Sequence, residues 1–201
     1  MIEIERRFKI ANPAFILQSL AALGVRANKT QHIIDQWYIP RNIYDRAGHD
    51  AWFDNEHGLA YRIRRNEEPE GAWKVALESK QLTVANDHNT FKEEVVMSGE
   101  EAPMQDFLHE QGYYNWLILD KQRQFFSAPS PHLEVIMDTV GGIKEALGIN
   151  TVLEIEYSGD RSRTQALTTI DAFAQRLGLS PNDLFAKSLT VEAMSVLARF
   201  E

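Results

Sequence analysis

Four short stretches of the chain place charged side chains two residues apart: Glu3-Ile4-Glu5, Arg62-Ile63-Arg64, Lys121-Gln122-Arg123 and Glu154-Ile155-Glu156. Side chains on a strand alternate between its faces, so each pair would share one face. Hard divalent cations such as Mg²⁺ or Mn²⁺ take oxygen ligands, commonly a few carboxylates with water and phosphate oxygens completing the shell. Glu3, Glu5, Glu154 and Glu156, with Glu94 and Asp138, could supply them. Crowded carboxylates are unfavourable unless a cation or a basic residue compensates. Phosphate chains want the opposite charge, with Arg making bidentate contacts and Lys acting as a compact point charge. Arg62, Arg64, Lys121 and Arg123 fit that need. A metal and several bases gathered on one phosphate chain, with a positioned water, suffice for hydrolysis. The plainer reading is a solvated sheet face laced with ion pairs, each worth about 0.2–1 kcal/mol.

The elements that must position these pairs follow from hydrophobic period. Residues 2–10 alternate, with Ile2, Ile4, Phe8 and Ile10 opposite Glu3, Glu5, Arg7 and Lys9, and only Arg6 breaks the apolar side. Asn12-Pro13 opens a helix that Gly24 ends. Extended stretches are expected over 29–40, 58–66, 72–80, 90–97, 113–126, 131–140 and 151–158, with a turn at 128–131. The stretch 41–57 reads as irregular and 81–89 as a loop. Helices are expected from Gly99 to Gly112, from an Asp160 cap to Leu177 with Gly178 as the stop, and over 190–200. Serial strands with short connections favour an antiparallel meander. If the charged faces point to water, the sheet is an open α+β layer; if they point inward, it must close into a barrel with a charged lumen.

Composition narrows the choices. The 201 residues suffice for one well-buried domain, expected over 1–201. The net charge of −8 makes nucleic acid and anionic membrane poor partners, so any bound anion should be small and held locally. There are no cysteines, which removes thiol chemistry and suits a reducing cytoplasm, the expected location. The N-terminus is charged from residue 3, unlike a signal peptide, and no apolar run reaches membrane-spanning length. The six histidines show no metal-binding spacing and are expected mostly on the surface or in loops. Trp37, Trp52, Trp73 and Trp116 read as core or outer packing.

Taken in order, these motifs resemble the CYTH superfamily, or triphosphate tunnel metalloenzymes, which includes inorganic triphosphatases, thiamine triphosphatases and class IV adenylate cyclases. Glu3-Ile4-Glu5-Arg6-Arg7-Phe8 is similar to its N-terminal ExExK signature. Gln36-Trp37-Tyr38, Arg62-Ile63-Arg64, Lys121-Gln122-Arg123, Asp138, Leu153-Glu154-Ile155-Glu156 and Lys187-Ser188 resemble later motifs in the same order. The resemblance implies an α+β fold: a closed eight-stranded antiparallel β-barrel with helices packed on the outside. It implies Mg²⁺ or Mn²⁺ on Glu3, Glu5, Glu154 and Glu156, with Glu5, Asp138 and Glu154 catalytic. Arg62, Arg64, Lys121 and Arg123 would grip the phosphates, with Arg7 and Lys187 as further contacts. The expected partner is a small triphosphate, with a homodimer compatible.

The chain departs from the family pattern in four places. Arg7 replaces the signature lysine. Ala76-Leu77-Glu78 stands where the family has Thr-Leu-Lys, although Lys74 and Lys80 share the Glu78 face. Lys92-Glu93-Glu94-Val95-Val96 loses a carboxylate at Val96. Ile136-Met137-Asp138 loses another at Ile136, with Glu134 on the same face. Three activities stay open at this point: triphosphate hydrolysis, nucleotide cyclisation, and binding by a weakened site. An α+β scaffold with a solvated charged sheet is the fourth reading.

Overall fold

The computed structural model describes residues 2–127 and 132–199; the expected turn at 128–131 and the last residues of the expected C-terminal helix lie outside them. Eight strands form: β1 (Ile2–Ile10), β2 (Arg26–Pro40), β3 (Ala60–Glu67), β4 (Trp73–Leu82), β5 (Thr90–Ser98), β6 (Tyr113–Ser127), β7 (Leu133–Val140) and β8 (Thr151–Tyr157). They close into a barrel in the order β1-β5-β4-β3-β2-β6-β7-β8, with every pairing antiparallel. The expected serial meander holds only in two runs, β2 to β5 and β6 to β8. The runs join where β2 pairs with β6, and β1 closes the gap between β5 and β8. Ile4 marks that closure, pairing with Thr90 of β5 on one side and Tyr157 of β8 on the other.

Closure turns the charged faces inward. In β1 the outward residues Ile4, Phe8 and Ile10 are buried under helices, while Glu5 and Arg7 face the lumen. Helix α1 (Pro13–Ala22) covers this side with Ile16 and Leu20. Its Asn12 cap accepts from the Phe15 amide at 3.2 Å, and Gly24 adopts the left-handed φ of 76° that ends it. A longer helix, Arg163–Arg176, packs Ala166, Ile170, Phe173 and Ala174 into the same cluster. Ser162 caps it through a reciprocal box with Gln165, in place of the expected Asp160. Arg6, the break in the apolar side of β1, finds Asp171 of that helix at 3.2 Å. The helix Glu101–Glu110 inserts fully buried Met104 and Leu108 against Tyr38, Ile63 and Leu77. Burying such side chains contributes roughly 1.5–3 kcal/mol each.

One end of the lumen is apolar. Trp37, Phe91 and Leu119 cluster there with Phe185, Leu189 and Val191, the last two at the start of the helix Leu189–Leu197. The stretch expected to be irregular contributes as well. It forms a short helix, Arg46–Asp50, that runs into a π-helical turn, Ala51–Asn55. His49 of this segment is buried, its ring centroid 4.9 Å from that of Trp116 and 5.5 Å from that of Phe53. His49 therefore departs from the expected surface or loop position, whereas His88, also buried, lies in the expected loop. Burial holds the His49 pKa down at about 4, so its ring is neutral among the aromatics. Trp37 packs in the core as expected, at the lumen side of its cluster, with the Arg62 guanidinium 5.1 Å from its ring centroid. Among the described residues no helix is long and apolar enough to cross a membrane.

Candidate functional site

The lumen encloses about 400 Å³. Exposed Lys29, Lys74 and Glu134 line it toward the open mouth, and the apolar cluster lines its other end. Between them an unbroken belt of ion pairs runs around the barrel. Glu5 meets Lys80 at 3.8 Å, Lys80 meets Glu93 at 3.3 Å, and Glu93 meets Arg62 at 2.6 Å. Arg62 meets Asp35 at 3.8 Å, Asp35 meets Lys121 at 2.7 Å, and Lys121 meets Asp138 at 3.7 Å. Asp138 meets Arg123 at 2.7 Å and Arg123 meets Glu154 at 3.6 Å. Arg7 bonds Glu154 and lies 2.5 Å from Glu5, which completes the circuit. All eight strands supply a member, and five acids alternate with five bases around the whole circuit. Buried charges of this density persist because each has an opposite neighbour.

The belt has an acidic arc on β1 and β8. Glu5 sits opposite Glu156 in the strand register, and Arg7 opposite Glu154. Glu5, Glu154 and Glu156 each bring a carboxylate oxygen, all within 4.8 Å of one another. Burial raises Glu5 to about 7, with Arg7 and Lys80 pulling it down and Glu154 and Glu3 adding to the rise. Burial, then repulsion from Glu154 and Glu5, holds Glu156 well above the usual carboxylate range. Glu154 behaves oppositely: burial opposes its charge, but Arg7 and Arg123 outweigh it and hold its carboxyl well below that range. Neither buried oxygen of Glu5 accepts an aligned hydrogen bond among the described residues. Three hard oxygen donors, two of them held above the usual carboxylate range by burial and by their acidic neighbours, fit a divalent hard cation.

A basic arc lies on β2, β3 and β6. Arg64 donates to both oxygens of Asp35, at 2.7 and 2.9 Å. Arg62 bonds Glu78 and Glu93. Arg123 grips Asp138 with two bonds of 2.8 and 2.7 Å. Arg62 and Arg123 are held charged despite burial, Arg62 first by Glu93 and Arg123 first by Asp138. Lys121 is the exception, because burial outweighs Asp35 and Asp138 and lowers its pKa. Burial pushes Glu93 and Asp35 up, but the bases around each outweigh it and hold both carboxyls low.

Most of the residues singled out in the sequence come together here. Glu5, Arg7, Arg62, Lys121, Arg123, Asp138 and Glu154 are belt members, Arg64 braces Asp35, and Glu156 completes the acidic triad. Four positions differ from expectation. Glu3, expected as a metal ligand, lies outside the triad and pairs with Lys80 at 3.3 Å. Asp138, expected beside the metal, is bound to Arg123 and Lys121. Glu94 points outward to Lys92 at 3.0 Å, and its neighbour Glu93 is the inward carboxylate. Lys187 does not line the cavity; it is drawn to Asp54 at 2.6 Å and Asp50 at 3.1 Å. Glu78 faces the lumen with Lys74 and Lys80, and bonds Arg62. Asp35 was passed over in the sequence, although a lone acid between Ile34 and Gln36, in a strand whose alternate residues Ile33 and Trp37 are apolar, is a signal.

The chain matches no protein-family model and no curated protein. Solved structures do match. The PH1012 protein of Pyrococcus horikoshii is 17% identical with a TM-score of 0.69, over 94% of this chain and 98% of that one. A candidate adenylate cyclase from Vibrio parahaemolyticus is 15% identical with a TM-score of 0.67, over 96% and 97%. A candidate adenylyl cyclase from Hippeastrum, described as having a dominant triphosphatase activity, is 16% identical with a TM-score of 0.51, over 95% and 98%. At such identities the likeness is one of fold. What is shared is the closed eight-stranded antiparallel barrel with helices outside, the architecture that the sequence resemblance implied.

Proposed function

We propose that this protein is a metal-dependent triphosphatase that hydrolyses the terminal phosphoanhydride of inorganic tripolyphosphate or a small organic triphosphate. The observation that carries the reading is the polarity of the belt: three carboxylates converge on one side of a lumen whose other side presents four bases. Glu5, Glu154 and Glu156 would hold Mg²⁺ or Mn²⁺, which supplies charge neutralisation and an activated water. Arg62, Arg64, Lys121 and Arg123 bind phosphate oxygens and stabilise the charge spread over them as the bond to the leaving oxygen breaks. Arg7 neutralises the acidic arc from β1 and orients Glu154. The apolar end keeps bulk water from the buried side of the belt, which strengthens every charge interaction within it.

The test is phosphate release from tripolyphosphate, thiamine triphosphate and nucleoside triphosphates, each with Mg²⁺ and with Mn²⁺. Release from at least one substrate, dependent on metal and lost in Glu5→Gln with the barrel intact by circular dichroism, is expected. No release from any of them, or full turnover by Glu5→Gln, sinks the reading. Two of the similar structures are named as candidate cyclases, which supports nucleotide cyclisation as the second reading. A cyclic nucleotide formed from ATP in the same screen selects it. Binding that raises thermal stability with no turnover selects a site that only holds the anion, at about 2.7 kcal/mol for a hundredfold excess over Kd.

A further inference from the structure

Asp35 is a carboxylate set in the middle of an anion-binding arc, where a negative charge looks misplaced. It is 1% exposed, although it lines the lumen. Arg64 takes both of its oxygens, Lys121 lies 2.7 Å from Oδ2, and Arg62 lies 3.8 Å from Oδ1. These bases come from β3 and β6, the strands that flank β2 in the barrel. One central acid therefore aligns three cations drawn from both of its neighbours. Three buried cations this close would repel one another, and the lysine, whose charge is lost most easily, would shed its proton first.

We infer that Asp35 is a positioning residue for anion binding, which keeps Lys121 charged and aims Arg64 and Arg62 at the lumen. This rests on the reading of the lumen as a triphosphate site. Charged groups face Lys121 from every side: Asp35 on β2, Asp138 on β7, Arg64 on β3, and Arg123 on its own strand. Burial and the two arginines favour the neutral amine, and the two carboxylates favour the ammonium. Removing Asp35 takes away the nearer carboxylate, so Lys121 deprotonates at lower pH and the arc loses a charge as pH rises. A role confined to packing or rigidity has no such slope.

The experiment is calorimetric titration of tripolyphosphate with Mg²⁺ into wild type, Asp35→Asn and Asp35→Glu between pH 6.5 and 9.5. Ionisation of the ligand is common to all three and cancels in the ratio of affinities. The Asp35→Asn to wild-type Kd ratio is expected to rise at least tenfold across that range, and Asp35→Glu to follow wild type. In Asp35→Asn/Lys121→Met the slope is expected to vanish. Should Asp35→Asn not fold, Asp35→Ser, which leaves room for water beside the two bases, replaces it with the same expected slope. A ratio constant with pH overturns the inference while leaving the site reading intact. Absence of tripolyphosphate binding by wild type overturns the site reading itself.

Discussion

The two sides of the belt solve the same problem in opposite ways. On the basic arc, crowded like charges are separated by an acid at the centre: Arg62, Arg64 and Lys121 all approach Asp35. On the acidic arc, Arg7 reaches Glu5 and Glu154, yet among the described residues Glu156 gains no comparable base and two of the three carboxyls are pushed up by burial and by their acidic neighbours. The basic arc is electrostatically complete as folded, and the acidic arc is short of a cation. An anion entering the lumen must therefore displace carboxylates from its bases, whereas a divalent cation fills a deficit. The difference predicts that damage to the basic arc registers first in stability and damage to the acidic arc first in activity.

The largest effect tests the completed side. Arg62 is 5% exposed and holds Glu78, Glu93 and Asp35. Arg62→Met takes one base from each of these carboxylates and leaves Glu78, among the described residues, only Arg64 at 4.0 Å, and the expected loss is about 3–5 kcal/mol of unfolding free energy, read by urea denaturation at neutral pH. A loss under about 1 kcal/mol means the belt is hydrated and the completeness of this arc is illusory. The deficient side should answer differently. Glu154→Gln is expected to lower metal-dependent phosphate release by about 100-fold or more. Asp138→Asn, whose carboxylate serves Arg123 and Lys121, should cost less. Equal losses would erase the distinction between the arcs.

Acidic crowding also leaves a mark on stability that depends on pH. Glu5 titrates at about 7 in the fold against 4.5 for an ordinary glutamate. A raised carboxyl contributes stability below the ordinary value, and that contribution fades as pH climbs to the folded one. Glu5→Gln mimics the protonated form and escapes the loss. In metal-free buffer its unfolding free energy relative to wild type, from urea denaturation, should rise from pH 4.5 to 7 and level off above, reaching about 3 kcal/mol. Asp35 and Glu93, held low by their bases, act in the other direction: their stability is present above the ordinary value and lost in acid. A difference between Glu5→Gln and wild type that stays flat with pH would show that Arg7 and Lys80 fully compensate Glu5.

How far the sequence disclosed this follows from which forces are local. Alternation around Ile4, Ile63 and Ile155 places the paired charges on one face, because an apolar residue between two charges leaves one way to bury the strand. Glu93 and Glu94 stand side by side, so neither composition nor spacing says which turns inward. Inward-facing Phe91 and the pairing of Lys80 with Glu93 settle it for Glu93. Closure through β1 is fixed by pairings with strands more than 80 residues away, which no window of sequence contains. Lys187 lies in a connection, where Asp50 of the short helix and Asp54 of the π-helical turn set its direction. Asp35 stands alone instead of in a charged pair, and the bases around it come from other strands, so its surroundings are absent from its local sequence.

Glu78 gives the smallest and sharpest test, because it is an acid in the basic arc that does not centre it. Its Oε2 accepts from Arg62 Nε at 2.8 Å, and Arg64 Nη1 is 4.0 Å away. Arg62 has other partners, Glu93 at 2.6 Å and Asp35 at 3.8 Å, so Glu78 is dispensable for keeping it in place. Under the proposed function, Glu78 would compete with an incoming phosphate oxygen for the Arg62 guanidinium. Glu78→Gln removes the charge and retains the shape. With Mg²⁺ present, tripolyphosphate should bind about threefold to tenfold tighter, roughly 1 kcal/mol, with little change in unfolding free energy. Weaker binding would place Glu78 with Asp35 as a group that aims the bases, and the basic arc would then hold two centring acids. Tighter binding separates the roles: Asp35 organises the arc, and Glu78 sets how strong an anion it takes to enter.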